Sequence, residues 1–466
     1  MDYLHRSKLP LVLCGLLSII GCSNSDNGMT QEPDSRPTMA QFMSSHSEPQ
    51  DIVFSSEETA NSTLAANRVA ISYLQHSIDN NAQDNVVLTP WPMFSTLALA
   101  TAASHGDTAD QINYELNAFG LEQSWPLAYQ ALHQSQTHLL TSGTSVINLD
   151  LWSQFDSQFE TEFLQQIGSA FQAHSHSVDF KAGEDIAPEL DHLAIRTFGE
   201  NFSFYIENYS NTRLLMLNQI KTVGSFDTHT LHIERFDGLF ENEADELIRA
   251  PMIRIQGKLD YYENSELIAY RLPLESNKLS VISIQPKDDM HAYIANNLET
   301  VLSTLNSSWI AQDSETVLPL IDASYTFSND WLADWKDTNL LYSEELADLR
   351  SMDHKGGLYL QDLPWKNRFS ISDYGIELAG ISGHAATFSE RNFFWSEPVQ
   401  GDLTFHDITI VYETPPACSG AIPDISTGLI LIQNTETGLI QSMLHLKTLA
   451  GTVEGITGCI YFDEPN

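Results

Sequence analysis

Apolar and polar residues alternate with two different periods along this chain, and the change from one to the other outlines its architecture. Over residues 64–76 apolar positions recur at helical spacing, which predicts an amphipathic helix. Asn85-Val86-Val87-Leu88 reads as a short strand halted by Thr89-Pro90. Pro92 suits a first helical turn, and small residues over 94–103 continue that helix in a closely packed form. Gly106 ends it, Asp107 or Thr108 caps the next helix, and Ile112 and Leu116 share one face of that helix. Further helices are predicted over 125–140, 158–167 and 186–198, with strands over 145–152 and 213–220 and a strand end at Val178-Asp179-Phe180. From Pro251 the pattern turns to strands over 252–254, 259–262, 267–272 and 279–285, interrupted by short helices over 290–305 and 330–336. Helices first and strands later predict an α+β fold rather than alternating βαβ units.

The stretch FSISDYGIELAGISGHAATFSER, residues 369–391, carries a period of two around Ile376-Glu377-Leu378 and is loosened by Gly375, Gly380 and Gly383. As a strand it would present Ile376, Leu378, Gly380, Ser382 and His384 to one face and Glu377, Ala379, Ile381 and Gly383 to the other.

Composition narrows the partners. The 466 residues carry 62 acidic against 22 basic side chains, a formal charge of −40. Nucleic acid is excluded as an expected partner, because counterion release from phosphates needs clusters of Lys and Arg that are absent here. The acidity forms no single block and reads as a solvated surface. The chain shows no GxSxG elbow, P-loop, dinucleotide fingerprint or HExxH motif, so an enzyme is not expected, and no cofactor is implied. His174 and His176 project to one side of a strand, where packing is the expected role in the absence of a third ligand at metal spacing.

The first residues combine His5, Arg6 and Lys8 with an apolar run over 11–20 and Gly21-Cys22. This resembles a bacterial lipoprotein signal, which implies cleavage before Cys22, acylation of that cysteine and a lipid anchor in the cell envelope, at the outer membrane by the Ser23 that follows. Residues 22–60 are rich in Ser, Asn, Asp, Gln and Pro and read as a flexible tether. Cys418 and Cys459 then remain as a candidate disulfide of an exported chain.

Taken together, the pieces resemble the serpin family. Asn85, Thr89-Pro90, Ser95, Leu97-Ala98-Leu99, Gly106, Thr108, Gln111-Ile112 and Leu116 fall at matching spacing, as do Asn218, Ala250-Pro251-Met252, Leu272-Pro273-Leu274 and the turn Asn434-Thr435-Glu436-Thr437-Gly438. Beyond the signal peptide over 1–21 and the tether over 22–60, the resemblance implies a serpin-like domain over 61–449 with an insertion around 392–427, followed by a tail over 450–466. It also implies a large central sheet and an exposed reactive loop whose hinge is Gly375, Ile376, Glu377, Leu378, Ala379 and Gly380. A target endopeptidase, serine-type or cysteine, would cut near Ser389-Glu390, become acylated, and be disabled as the freed segment enters the sheet, with the inhibitor acting as a monomer. Departures from the family stand at Pro92 and Phe94, in place of serines under the sheet, and at Trp365, in place of a histidine, so that Asn218 loses its usual partners. Ile376 and Leu378 are larger than the family's hinge residues, and overpacking costs ~1–3 kcal/mol per site. That bulk favours the alternative of a non-inhibitory envelope lipoprotein serving as a binding module. Two runs, 407–412 and 429–432, compete for the penultimate strand.

Overall fold

Two β-sheets carry the fold, and the glycine-punctuated stretch of the sequence is a central strand of one of them. The computed structural model describes residues 38–39, 41, 52–80, 85–121, 123–171, 173–182, 186–198, 209–242, 246–275, 277–287, 297–327, 339–362, 364–388, 425–447, 449 and 452–453. These belong to one unit, Arg36–Asn466. In chain order the first part comprises α1 (Ser56–Asn80), β1 (Val86–Leu88), α2 (Trp91–Ala103), α3 (Gly106–Asn117), α4 (Trp125–Ser135), α5 (Thr137–Thr141), β2 (Ser145–Gln154), α6 (Thr161–Phe171), β3 (His174–Val178) and α7 (Ala187–Phe198). Then follow β4 (Thr212–Ser225), β5 (Leu231–Glu241), β6 (Leu247–Glu263), β7 (Leu267–Pro273), β8 (Leu279–Pro286), α8 (Leu298–Ser308), β9 (Ile310–Pro319) and β10 (Ile321–Phe327). The last elements are β11 (Leu358–Asp362), β12 (Trp365–Ile371), β13 (Gly375–Phe388), β14 (Ile425–Ser426), β15 (Gly428–Asn434), β16 (Ile440–Leu446) and β17 (Thr452–Val453).

Local chemistry sets the element ends, not always where the pattern placed them. Helix α1 starts at Ser56, inside the stretch read as tether, because Ser55 and Glu58 cap it reciprocally. The Ser55 amide donates to Glu58 Oε2 at 2.7 Å and the Glu58 amide to Ser55 Oγ at 3.1 Å. Upstream, Thr38 bridges to Gln158 and Met39 is fully buried in the main core. Neither Asp107 nor Thr108 caps α3: His105 stands at its N-cap, and Thr108 Oγ1 instead accepts from the Asp348 amide at 3.0 Å. The helix expected over 125–140 is split at Gln136, whose buried Oε1 accepts from Asn434 Nδ2 at 3.1 Å and Gln441 Nε2 at 3.2 Å.

The first sheet runs β1-β16-β15-β8-β7-β6-β5-β14, with β9 and β17 also pairing to β6. Of the two runs that compete for the penultimate strand, 429–432 lies in β15, paired on both sides by β8 and β16, whereas 407–412 falls outside the described residues. The two strands expected over 252–254 and 259–262 are a single strand, β6. Gly257, at φ 159°, passes so close to the Thr230 carbonyl oxygen that a Cβ would sit 2.8 Å from it. The second sheet runs β10-β12-β13-β4-β2-β3, with β11 also pairing to β13. One apolar cluster lies between the sheets, around Phe369, Ile376, Leu378 and Leu274. A second fills the space beneath α7, around Leu190, Leu217, Ala379 and Ile381. The fold class is α+β, as the order of patterns predicted.

Candidate functional site

The site is the slot between β12 and β4, and it holds β13. The turn from β12 into β13 is closed by the Ser372 amide donating to the Gly375 carbonyl at 2.9 Å. Gly375 has φ 154°, and a Cβ there would run into the Gly224 carbonyl and lie 2.8 Å from Ser225 Cα, so only glycine fits. From Gly375 opposite Ser225 to Ala386 opposite Leu214 the ladder with β4 is continuous and antiparallel. On its other side β13 pairs with β12 from Ile376 to Ile381 and with β11 from His384 to Phe388. Between these two ladders the register is offset by one residue, since Asp362 pairs with His384 and Lys366 with Ile381. Pro364 lies in that offset, where a residue without an N–H interrupts no ladder bond.

Both neighbours of β13 run antiparallel to it, so β12 and β4 point the same way. Both ladders of β13 are thus antiparallel, the slightly more stable pairing per residue. Alternation places the side chains as the period of two predicted. Ile376 and Leu378 join the cluster between the sheets, and Ala379, Ile381 and Ala385 pack under α7. Glu377, on the α7 side, pairs with Lys221 at 2.8 Å.

The hinge bulk that sequence reading counted against insertion is accommodated. Ile376 lies opposite Gly224, where a Cβ would collide with Leu274 Cδ1 but meet Ile376 Cδ1 at 3.6 Å in ordinary contact, so the missing side chain on β4 makes room for Leu274 in the cluster that Ile376 joins. Leu378, fully buried, lies opposite Thr222 and against Phe369. Gly380 faces α2 where a Cβ would stand 3.1 Å from Thr89 and 3.3 Å from Pro92. Beneath the strand a polar seam forms that sequence reading missed. The Thr89 amide donates to Asn367 Oδ1 at 2.9 Å, and Thr89 Oγ1 donates to the Ala379 carbonyl at 3.4 Å. Ser442 Oγ, 3.4 Å from Thr89 Oγ1, donates to the Leu88 carbonyl at 3.1 Å. Thr89 was singled out as motif, but nothing in its local pattern announced a bond to a strand 290 residues away.

The departures at the gate are packed apolar groups. Phe94 is buried against Trp125, whose Nε1 donates to the Phe94 carbonyl at 2.9 Å, and Trp365 packs in tilted ring contacts with Tyr73 and Phe327. Asn218 Nδ2 and Ser382 Oγ, on residues directly opposite each other, are buried and find no hydrogen-bond partner among the described residues. His176 binds Asp150 at 2.9 Å and stacks on Trp152 with ring centres 4.7 Å apart, a packing role on the sheet's outer strands. Among the described residues no group of three or more His, Cys, Asp or Glu is placed to hold a metal, and no helix is long and apolar enough to cross a membrane. Residues 375–388, which begin with the six expected hinge positions, form a strand paired on both sides and not an exposed loop. Ser389 and Glu390, directly after the strand, lie outside the described residues, as do Cys22, Cys418 and Cys459.

A family model for serpins, described as serine protease inhibitors, matches residues 64–398. The chain belongs to the serpin family. At family level it is thus an inhibitor-type protein rather than an enzyme. Among curated serpin relatives, Iripin-8 of Ixodes ricinus is 25% identical over 350 residues, covering 72% of this chain and 85% of the relative. Leukocyte elastase inhibitor of Bos taurus is 23% identical over 345 residues, covering 70% and 90%. Of solved serpin structures, cleaved Serpin 42Da superposes with a TM-score of 0.66 at 16% identity, covering 85% of this chain and all of that one. Tengpin in the latent state gives 0.61 at 14% identity, covering 88% and 100%. These structural likenesses establish the fold.

Proposed function

We propose that this serpin inhibits serine-type, and by the same chemistry cysteine, endopeptidases as a suicide substrate, and that the described structure is the inserted end state of its reactive loop. The observation that carries this is the in-register seating of β13 from Gly375 to Ala386, with Ile376 and Leu378 buried in the cluster between the sheets. In the active form the segment is outside the sheet. The protease nucleophile attacks the Ser389 carbonyl carbon, the peptide bond to Glu390 breaks with its amine as leaving group, and an acyl-enzyme forms. Insertion then competes with hydrolysis of that ester, and each ~1.4 kcal/mol on either barrier shifts the competition tenfold. Burying Ile376, Leu378 and Ile381 contributes about 1.5–3 kcal/mol each toward insertion. Leukocyte elastase inhibitor, a relative that this chain matches over 90% of its length, supports a protease as partner. Cys22 is proposed to hold the protein at the envelope by its lipid, and Cys22→Ala should then release it from membranes. The test of inhibition is incubation with chymotrypsin and with trypsin. An SDS-stable adduct, with a released fragment beginning at or near Glu390, is the expected outcome, and cleavage with neither adduct nor a rise in melting temperature would overturn it.

A specific observation favours a second reading, in which the fold binds a partner without trapping proteases. The strand is seated in an uncut chain while β14 and β15 keep their places in the other sheet. The 36 residues between Phe388 and Ile425 can extend to about 120 Å. That is more than twice the roughly 46 Å length of a 14-residue strand. Insertion therefore needs no cut. If freshly folded protein already holds β13 in the sheet, no bait is offered and the second reading stands.

A further inference from the structure

Strand β13 ends in a built seat. After Ala386 opposite Leu214, the next pair is Thr387 opposite Thr212, so Arg213 is the extra residue of a bulge in β4. Bulges re-aim side chains, and this one sends the Arg213 guanidinium over the ring of Phe388, its carbon 4.5 Å from the ring centre. Nη1 of Arg213 donates to the Thr212 carbonyl at 3.0 Å, which fixes the guanidinium in that position. On the other side Leu358 of β11 pairs with Phe388, and Gly357, at φ 75°, takes the left-handed backbone that favours glycine and runs beside the ring, a Cβ built there lying 3.7 Å from Phe388 Cδ1 in ordinary contact. Three features thus converge on the last residue of the strand: a bulge, a cation over the aromatic face, and a left-handed glycine beside it.

We propose that Arg213 and Gly357 form a terminal seat that receives Phe388 as the last side chain to enter the sheet, which makes Arg213 and Phe388 positioning residues that complete loop insertion. The proposal rests on the inhibitor reading for its consequence: Phe388 immediately precedes Ser389, so seating it draws an acylated Ser389 to the far end of the slot. Arg213 lies outside the reactive loop. Its replacement therefore leaves the sequence a protease reads unaltered, and separates seating from recognition.

The test uses the full chain as wild type, Arg213→Ala, Arg213→Lys, Phe388→Leu and the double variant Arg213→Ala with Phe388→Leu. Urea unfolding of the loop-cleaved protein reads the seat directly, and the share of adduct formed with chymotrypsin reads its consequence. Each of the two non-conservative single variants should lower the folding equilibrium of the cleaved form about two- to fivefold, the range of a partly exposed cation–π contact. The double variant should lose no more than either single variant, Arg213→Lys should restore part of the loss, and Arg213→Ala should be cut at the wild-type rate while yielding less adduct. Independent, additive losses in the double variant, or no loss in Arg213→Ala, would overturn the seat. Wild type that forms no adduct but shows the coupling in urea would sink the inhibitor reading and leave the seat standing. An adduct share untouched by Arg213→Ala, with no coupling in urea, would do the reverse.

Discussion

Gly224 is where the hinge bulk meets the receiving sheet, and a single methyl group there tests the fit. In Gly224→Ala the new Cβ collides with Leu274 Cδ1 and stands 3.6 Å from Ile376 Cδ1. Leu274 is itself 1% exposed and Ile376 5%, so neither side chain has solvent to move into. Overpacking of this kind costs ~1–3 kcal/mol, which at ~1.4 kcal/mol per tenfold is about 5- to 150-fold in the equilibrium favouring the inserted form. Leu274→Ala removes the group the methyl strikes, and contacting residues couple by about 0.5–3 kcal/mol in double-mutant cycles. The assay is urea unfolding of the loop-inserted protein, read at the midpoint with the m-value held constant. Gly224→Ala should be costly beside Leu274, nearly neutral beside Ala at position 274, and as costly as before in an Ile376→Ala background. An equal cost beside Leu274 and beside Ala, or a cost relieved by Ile376→Ala, would refute the packing described around Gly224.

Ser382→Ala should raise the stability of the inserted form by about 1 kcal/mol, because it removes a buried hydroxyl without a partner; a destabilisation measured by the same urea unfolding would mean the hydroxyl is satisfied. Burial beside Trp91 and Tyr129 pushes His133 below its ordinary value near 6.5. The unfolded chain then binds a proton that the folded one refuses, so the contribution of His133 is present above about pH 6.5 and is lost as pH falls from there through the folded value. His133→Leu should flatten the decline in melting temperature between pH 7 and pH 5, and an unchanged slope would refute the assignment.

Much of the hinge was legible because it is governed by a short-range rule. The period of two around Ile376-Glu377-Leu378 placed the two faces of β13 correctly, down to Glu377 facing away from the space between the sheets. The requirement for glycine at 375, by contrast, is set across the sheet by the Gly224 carbonyl and Ser225 of β4. What could not be read is the partner across the slot. Gly224 lies 152 positions from Ile376 in the chain and looks, in its own surroundings, like an ordinary strand-end glycine. Local sequence therefore counted the cost of a large hinge residue without seeing the cluster of distant residues, Leu274 and Phe369 among them, in which it is buried. The continuity of β6 was hidden for a related reason, since Gly257 reads as a break but in the sheet permits the close approach of Thr230. The split at Gln136 likewise depends on Asn434 and Gln441, far along the chain. Whether residues 375–388 lie inside or outside the sheet is a property of the slot, set by β4, β11 and β12, rather than of the segment.

The most direct measurement is amide hydrogen exchange over residues 376–386 in protein cut once between Phe388 and Ile425, compared with β4 in the same molecule. The expected result is protection of these amides equal to that of residues 214–224, their partners in the ladder. Exchange at the rate of exposed chain, with β4 still protected, would contradict the claim that this segment is a strand the sheet accepts.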